Sequence, residues 1–186
     1  SKLVAAGCKI QMAAPTAGCA GVLVSSNQAS MIQSQVTGCG GDGVHVTGWR
    51  SRMNVHDCTS NNNGNSGFAV SQQGKLSVGH GCEASGNGLA GFACLGAGSH
   101  LVLGHGCTAA DNGAIRVNTS ALEQPGSAAD YPMARGCGIY AHESHVTIGE
   151  QLTVHGGQYG VLACGVGFLI QVGKDSCVSS CVKDGF

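Results

Sequence analysis

The sequence predicts an all-β chain wound as a parallel solenoid of about seven coils, each of about 24 residues. Three observations carry that prediction. One motif is written twice, LSVGHGCEASGNG at Leu76–Gly88 and LVLGHGCTAADNG at Leu101–Gly113, so Leu76, Val78, His80, Cys82 and Asn87 recur as Leu101, Leu103, His105, Cys107 and Asn112. Between glycines, apolar residues alternate at spacing two over very short runs, which is the period of short strands. Glycine reaches 32 residues with only 3 prolines and no Gly-X-Y period, so the glycines serve turns. No unit offers the roughly 10–12 residues of helical periodicity that a leucine-rich repeat needs, and a six-residue apolar period is absent.

Aligned on the double motif, the chain divides into successive units. The first, from Ser1 to about Ser26, carries Leu3, Cys8, Val22 and Val24, with about four extra residues placed in a turn near Gln11–Thr16. The second, Asn27–Arg50, ends in Val44, Val46 and Trp49. The third, Ser51–Gly74, matches the fourth through Asn63 and Asn87, Phe68 and Phe92, and Val70 and Cys94. The fifth begins at Ser99 and is interrupted by an expected inserted loop, residues 114–136, after which Gly138, Ile139 and Ala141 read as its resumed second strand. Ser144–Gly165 forms the sixth, and the seventh runs from Gly167 and breaks off in mid-turn at Phe186. Residues 1–186 are expected to form one domain, part of a longer chain or assembly.

In such a coil each strand pairs with its equivalent one coil away at roughly 4.8 Å, so seven coils span about 30 Å. Like residues then stack. Asn63, Asn87 and Asn112 are expected to form a ladder of side-chain amides, with asparagine chosen because it tolerates the left-handed conformation of a sharp corner. Cys82 with Cys107 and His80 with His105 are expected to stack as structural ladders in the same way.

The L-x-V/L-G-H-G-C-x-A-x-x-N-G unit and its weaker copies resemble the right-handed parallel β-helix superfamily typified by pectate lyases. The resemblance covers nearly the whole chain and is one of repeat pattern. It implies the fold and leaves the activity open, because lyases, hydrolases, epimerases, phage adhesins and non-catalytic scaffolds share that fold. It also implies that catalysis, where present, uses acidic clusters on an exposed sheet face, either paired aspartates or aspartates holding calcium beside a base. Here Asp42, Asp57, Asp111, Asp130, Asp175 and Asp184 fall at different coil positions. Ala141-His142-Glu143 reproduces only the last two letters of the D-P-H-E signature of alginate epimerases of this fold, so no catalytic residue is carried over.

The strongest enzymatic cluster in the residues themselves is Tyr140, His142 and Glu143 with Arg135, joined by His145 and Arg116 around the insertion. An outward Tyr140 and His142 would bind or deprotonate a sugar acid while an arginine neutralises its carboxylate. Set against that is the plainer expectation of polar residues on a solvated strand. His80 and His105, with His56 offset by a one-residue gap, are expected as corner residues and not as a metal site. No CxxC or Cys/His zinc spacing occurs, and neither metal nor cofactor is expected. GGDGV at Gly40–Val44 is a single copy of a calcium-binding nonapeptide pattern and reads as a turn. Asn118-Thr119-Ser120 is a glycosylation sequon within the insertion. Aromatic residues make up 4% of the chain, which leaves only short sugar contacts near Trp49, Tyr131 or Tyr140.

Charged residues are 10% of the total and the formal net charge is −1, so the composition offers no basic face for nucleic acid or membrane, and the eight histidines alter this only in acid. No apolar run reaches the roughly 18 residues of a membrane span, and the start at Ser1 reads as a processed or partial chain. The 11 cysteines are expected mainly as small core residues ahead of a disulfide framework. The sequon and cysteine number lean to an extracellular or cell-surface location, with the cytoplasm as the alternative. The function expected is a non-catalytic structural or adhesive scaffold, a segment of a larger chain or filament. Its partners would be further coils or other subunits at its open ends, and polysaccharide. The alternative is a uronate lyase, epimerase, glycoside hydrolase or carbohydrate-binding module.

Overall fold

The computed structural model describes residues 2–11, 18–113, 135–167 and 169–181. Every element in it is a strand. The first turn holds β1 (Lys2–Ala6), β2 (Lys9–Gln11) and β3 (Val22–Ser25), and the second β4 (Gln28–Ile32), β5 (Gln35–Thr37) and β6 (Val44–Thr47). The third holds β7 (Arg52–His56), β8 (Thr59–Asn61) and β9 (Phe68–Ser71), and the fourth β10 (Lys75–Val78), β11 (Glu83–Ser85) and β12 (Ala90–Leu95). The fifth holds β13 (His100–Leu103), β14 (Thr108–Ala110) and β15 (Cys137–His142), and the sixth β16 (His145–Ile148), β17 (Thr153–His155) and β18 (Tyr159–Cys164). The seventh adds β19 (Leu169–Val172) and β20 (Cys177–Ser179). Each strand pairs in parallel with its equivalents in the neighbouring turns, giving three sheets: A from the first strand of each turn, B from the second and C from the third. The chain is a right-handed β-helix of six complete turns and two strands of a seventh.

A turn therefore contains three strands. Gly138, Ile139 and Ala141, expected in a resumed second strand, lie in β15, the third strand of turn five. The second strand of each turn leaves little pattern in the sequence because it is three residues long and, as in β8 and β11, buries as little as one small residue, Ser60 or Ala84. Of the expected insertion only Arg135 and Gly136 fall among the described residues. The turn expected near Gln11–Thr16 lies outside them except for Gln11, the last residue of β2.

The core is a set of columns running along the helix axis. Sheet A contributes Ala29, Met53, Leu76, Leu101 and Val146 in register, and beside them Met31, Val55, Val78, Leu103 and Ile148. Sheet C contributes Val44, Phe68, Phe92 and Ile139, with the two phenylalanine rings stacked at 5.6 Å. Each such Val, Leu, Ile, Met or Phe side chain contributes about 1.5–3 kcal/mol by leaving water.

The described corners each place at least one residue in the left-handed region. After sheet A these residues are Gly7, Gln33, Asp57, Gly81, Gly106, Gln151 and Asp175, and after sheet B they include Gly38, Asn62, Gly86 and Asp111. The left-handed residue thus precedes the asparagine of each ladder position, which corrects the reason expected for asparagine there. Asn63, Asn87 and Asn112 are needed for their amides. Asn87 Oδ1 accepts from the backbone N–H and from Nδ2 of Asn63 at 3.0 and 3.1 Å. Asn112 Oδ1 accepts the same pair from Asn87, also at 3.0 and 3.1 Å. One turn back, Asn63 Oδ1 accepts the N–H of Cys39. Gly104 is glycine for closeness, since a Cβ there would sit 2.8 Å from the carbonyl carbon of Gly79.

All eleven cysteines are free thiols, and six of them, including Cys82 and Cys107, are buried. Burial pushes Cys82, Cys94 and Cys137 each up to about 12, so these thiols stay protonated and inert as nucleophiles at neutral pH. The first turn exposes a group of apolar side chains, Leu3, Val4 and Leu23, each more than half exposed, and Trp49 and Val166 are exposed singly elsewhere.

Candidate functional site

The outer face of sheet A places basic side chains in a row. In β7, β10, β13 and β16 alternate side chains enter the core, so the intervening ones face outward. The registers put Arg52 beside Lys75, Lys75 beside His100, and His100 beside His145. Adjacent strands lie about 4.8 Å apart, so the row carries one basic group per turn at that spacing. The imidazoles of His100 and His145 are stacked, with centroids 5.0 Å apart and planes 13° from parallel. A second outward row, Asn54, Ser77, Val102 and Thr147, runs alongside and supplies hydrogen-bonding groups from three of its four members. Between the rows lies a shallow groove of about 340 Å³ lined by Arg52, Asn54, Lys75, Ser77, His100 and Val102.

Nothing among the described residues neutralises this row. The ion pairs found there, His45 with Asp42 at 3.3 Å and His105 with Glu150 at 3.6 Å, are elsewhere in the molecule. Partial burial holds the His100 imidazole below its ordinary value, and the nearby positive groups Lys75 and His145 lower it further. A stretch of like charge without counter-charge favours a ligand that brings its own anions. The composition does not reveal this face, because a net charge of −1 averages over it. Its one sequence signal was the recurrence of a basic residue just before the first apolar residue of successive units, at Arg52, Lys75, His100 and His145.

The cluster expected around β15 is arranged differently from the expectation. Tyr140 faces away from the central core but is 1% exposed, packed with Ala69, Leu95 and Cys137, and its hydroxyl lies 3.1 Å from Cys164 Sγ. It is not open to a substrate from solvent. His142 ends the strand in register with Leu95 and Cys164, and Glu143 follows in the left-handed corner. Arg135 precedes the other end of β15, so about 16 Å of strand separates it from His142 at 3.3 Å per residue. The arginine is therefore not placed to neutralise a carboxylate held by His142. Arg116, Asn118 and Tyr131 lie outside the described residues.

The motif histidines are corner residues. The carbonyls of His80 and His105 accept the N–H groups of Asp57 and Gly81 in the preceding turns. His56 belongs to the same column despite the one-residue gap, its ring meeting that of His80 at 5.8 Å edge to face. No group of three or more metal-binding side chains occurs among the described residues.

A second polar arrangement, without a motif in the sequence, links turns two and three. Asp42, which accepts the N–H of Ser66 at 2.9 Å, pairs with Nδ1 of His45, whose Nε2 lies 2.9 Å from Ser71 Oγ. Ser71 donates to Thr47, and Thr47 donates to Gln72. The order carboxylate, imidazole, hydroxyl resembles that of a hydrolase, but Ser71 is 2% exposed and Asp42 equally buried. Burial pushes the Asp42 carboxyl up, opposed by His45 and the Ser66 N–H. The chain of bonds joins turn two to turn three.

A family model described as the right-handed beta helix region matches residues 4–112. The chain belongs to that family, in agreement with the three-sheet coil. No curated protein and no solved structure matched it.

Proposed function

We propose that this protein is a non-catalytic, adhesive β-helix scaffold that holds an acidic polysaccharide along sheet A. The observation that carries the reading is the in-register row Arg52, Lys75, His100 and His145, which lacks carboxylate partners among the described residues. A linear glycan lying along the helix axis would meet one basic group per turn, with Asn54, Ser77 and Thr147 bonding to its hydroxyls. The scaffold part of the reading is supported by what the repeated polar residues do: the asparagines bond between turns, and the motif histidines close corners. Polygalacturonate and neutral dextran immobilised side by side test the proposal. The protein should be retained by the first and not the second, and Arg52→Ala with Lys75→Ala should weaken retention at least tenfold. Equal retention on both supports would sink it, as would release of unsaturated or reducing ends.

The exposed Leu3, Val4 and Leu23 of the first turn support a further element of the reading, that another coil or subunit covers this edge. Sedimentation at rising concentration checks it: self-association that Leu3→Ser and Leu23→Ser abolish is expected, and a monomer at all concentrations speaks against stacking between copies.

A further inference from the structure

Two members of the cation row differ in kind from the other two. Arg52 and Lys75 carry fixed charge at any physiological pH, whereas His100 and His145 acquire theirs only as the pH falls. The four occupy consecutive strands of one sheet in unbroken register, so protonation lengthens the cationic row from two turns to four. From this geometry we infer that sheet A is an acid-strengthened anion-binding face, in which the stacked His100–His145 pair sets the pH at which a polyanion is held. The inference rests on the proposed binding of an acidic glycan and adds its regulation.

The surroundings of the pair support the assignment. Lys75 flanks His100 on the preceding strand, with Arg52 one strand beyond, and the neutral Leu169 follows His145 in register on β19. The nearest carboxylate along the chain, Glu143, lies at the corner two residues before His145, and the pair has no ion-pair partner among the described residues. Partial burial, with Lys75 and the His145 ring stacked at 5.0 Å, opposes charging of His100 in the free protein. An anion laid across the rings offsets that opposition. Binding and protonation are therefore linked, each favouring the other.

The experiment uses dextran sulfate, whose sulfate esters stay ionised across the range, so any pH dependence belongs to the protein. Affinity is measured by calorimetry at pH 7.5 and pH 5.0 at fixed ionic strength, and again over a salt series at each pH. Wild type is expected to bind at least tenfold more tightly at pH 5.0, with a steeper dependence on salt because more counterions are released. In the His100→Gln, His145→Gln double variant the ratio of the two affinities should fall towards one. The triple variant His56→Gln, His80→Gln, His105→Gln, altered only at the corner, should keep the wild-type ratio. In parallel, the imidazole NMR titrations of His100 and His145 should move to higher pH when dextran sulfate is added. A ratio near one in wild type, or a ratio retained in the double variant, overturns the inference while leaving polyanion binding itself standing. Absence of binding at both pH values overturns the underlying reading as well.

Discussion

The side chains that repeat most faithfully along this chain act between turns, and Asn87 shows what one of them carries. Its Oδ1 satisfies two donors of Asn63, while its Nδ2 donates to the Ser60 carbonyl at 3.0 Å and to Asn112 Oδ1 at 3.1 Å. All three asparagines are 3% exposed or less, so water does not replace a missing partner. Truncation leaves a buried backbone N–H and a buried carbonyl unpaired and breaks a connected network. Asn87→Ala should therefore cost about 3–5 kcal/mol, well above a typical surface substitution. Urea denaturation measures it. A loss near 1 kcal/mol would mean that water enters the corner and the ladder is not a closed network. Ser30→Ala, on the outer face of β4, provides the comparison and should change the midpoint little.

At the scale of strands and columns, the buried thiols make stability depend on alkali. Cys82, Cys94 and Cys137 have folded values pushed up to about 12 by burial, against an ordinary value of 9.0. A group whose folded value is raised stabilises fully below its unfolded value, and that contribution is lost as pH climbs towards the folded one. Between about pH 9 and 12 the unfolded chain releases these protons and the folded chain keeps them, so each thiol removes up to about 1.4 kcal/mol per pH unit. The urea midpoint should be flat from pH 7 to 8 and fall steeply above 9. Cys94→Ala, weaker at pH 7 through lost packing, should show the shallower decline. Parallel declines would assign the alkaline loss to other groups. The same columns explain what could be read from residues alone. Repetition of Leu76, Cys82 and Asn87 at Leu101, Cys107 and Asn112 made the coil legible, because each repeated residue meets its own kind. The three-residue strands of sheet B bury too little to leave a pattern. The basic row left only a faint signal, a basic residue ahead of each first apolar residue, because its members are chemically unlike and the register of sheet A is what brings Arg52, Lys75, His100 and His145 into line. Tyr140 is closed to solvent although it points away from the central core, because a second apolar cluster covers that face of β15.

For the whole molecule, a solenoid makes stability a sum of turns and of interfaces between neighbouring turns, with little long-range contribution. An interior turn has two neighbours and a terminal one has fewer. The burial follows within one sheet: β8 and β11 bury their central residue between half-buried neighbours, whereas β2 and β20 have a half-buried centre between exposed ends. Local opening should therefore be graded along the axis, with free energies near the global value in turns three to five and much lower in turns one and seven. Native-state hydrogen exchange should find the amides of β9 and β12 slowest and those of β2 and β20 fastest, at a pH where the protein is intact. Uniform protection would indicate one cooperative unit and contradict the nearest-neighbour picture. The gradient also bears on the proposed polyanion binding, because the basic row occupies turns three to six and so lies mainly on the better-protected part of the coil. A preformed row loses little entropy when a linear anion aligns with it. Dextran sulfate at pH 5 should accordingly slow exchange in β7, β10, β13 and β16 and leave β2 and β20 unchanged. Protection that spread evenly to both ends would instead mean that the ligand tightens the whole coil, and that the row is not its seat.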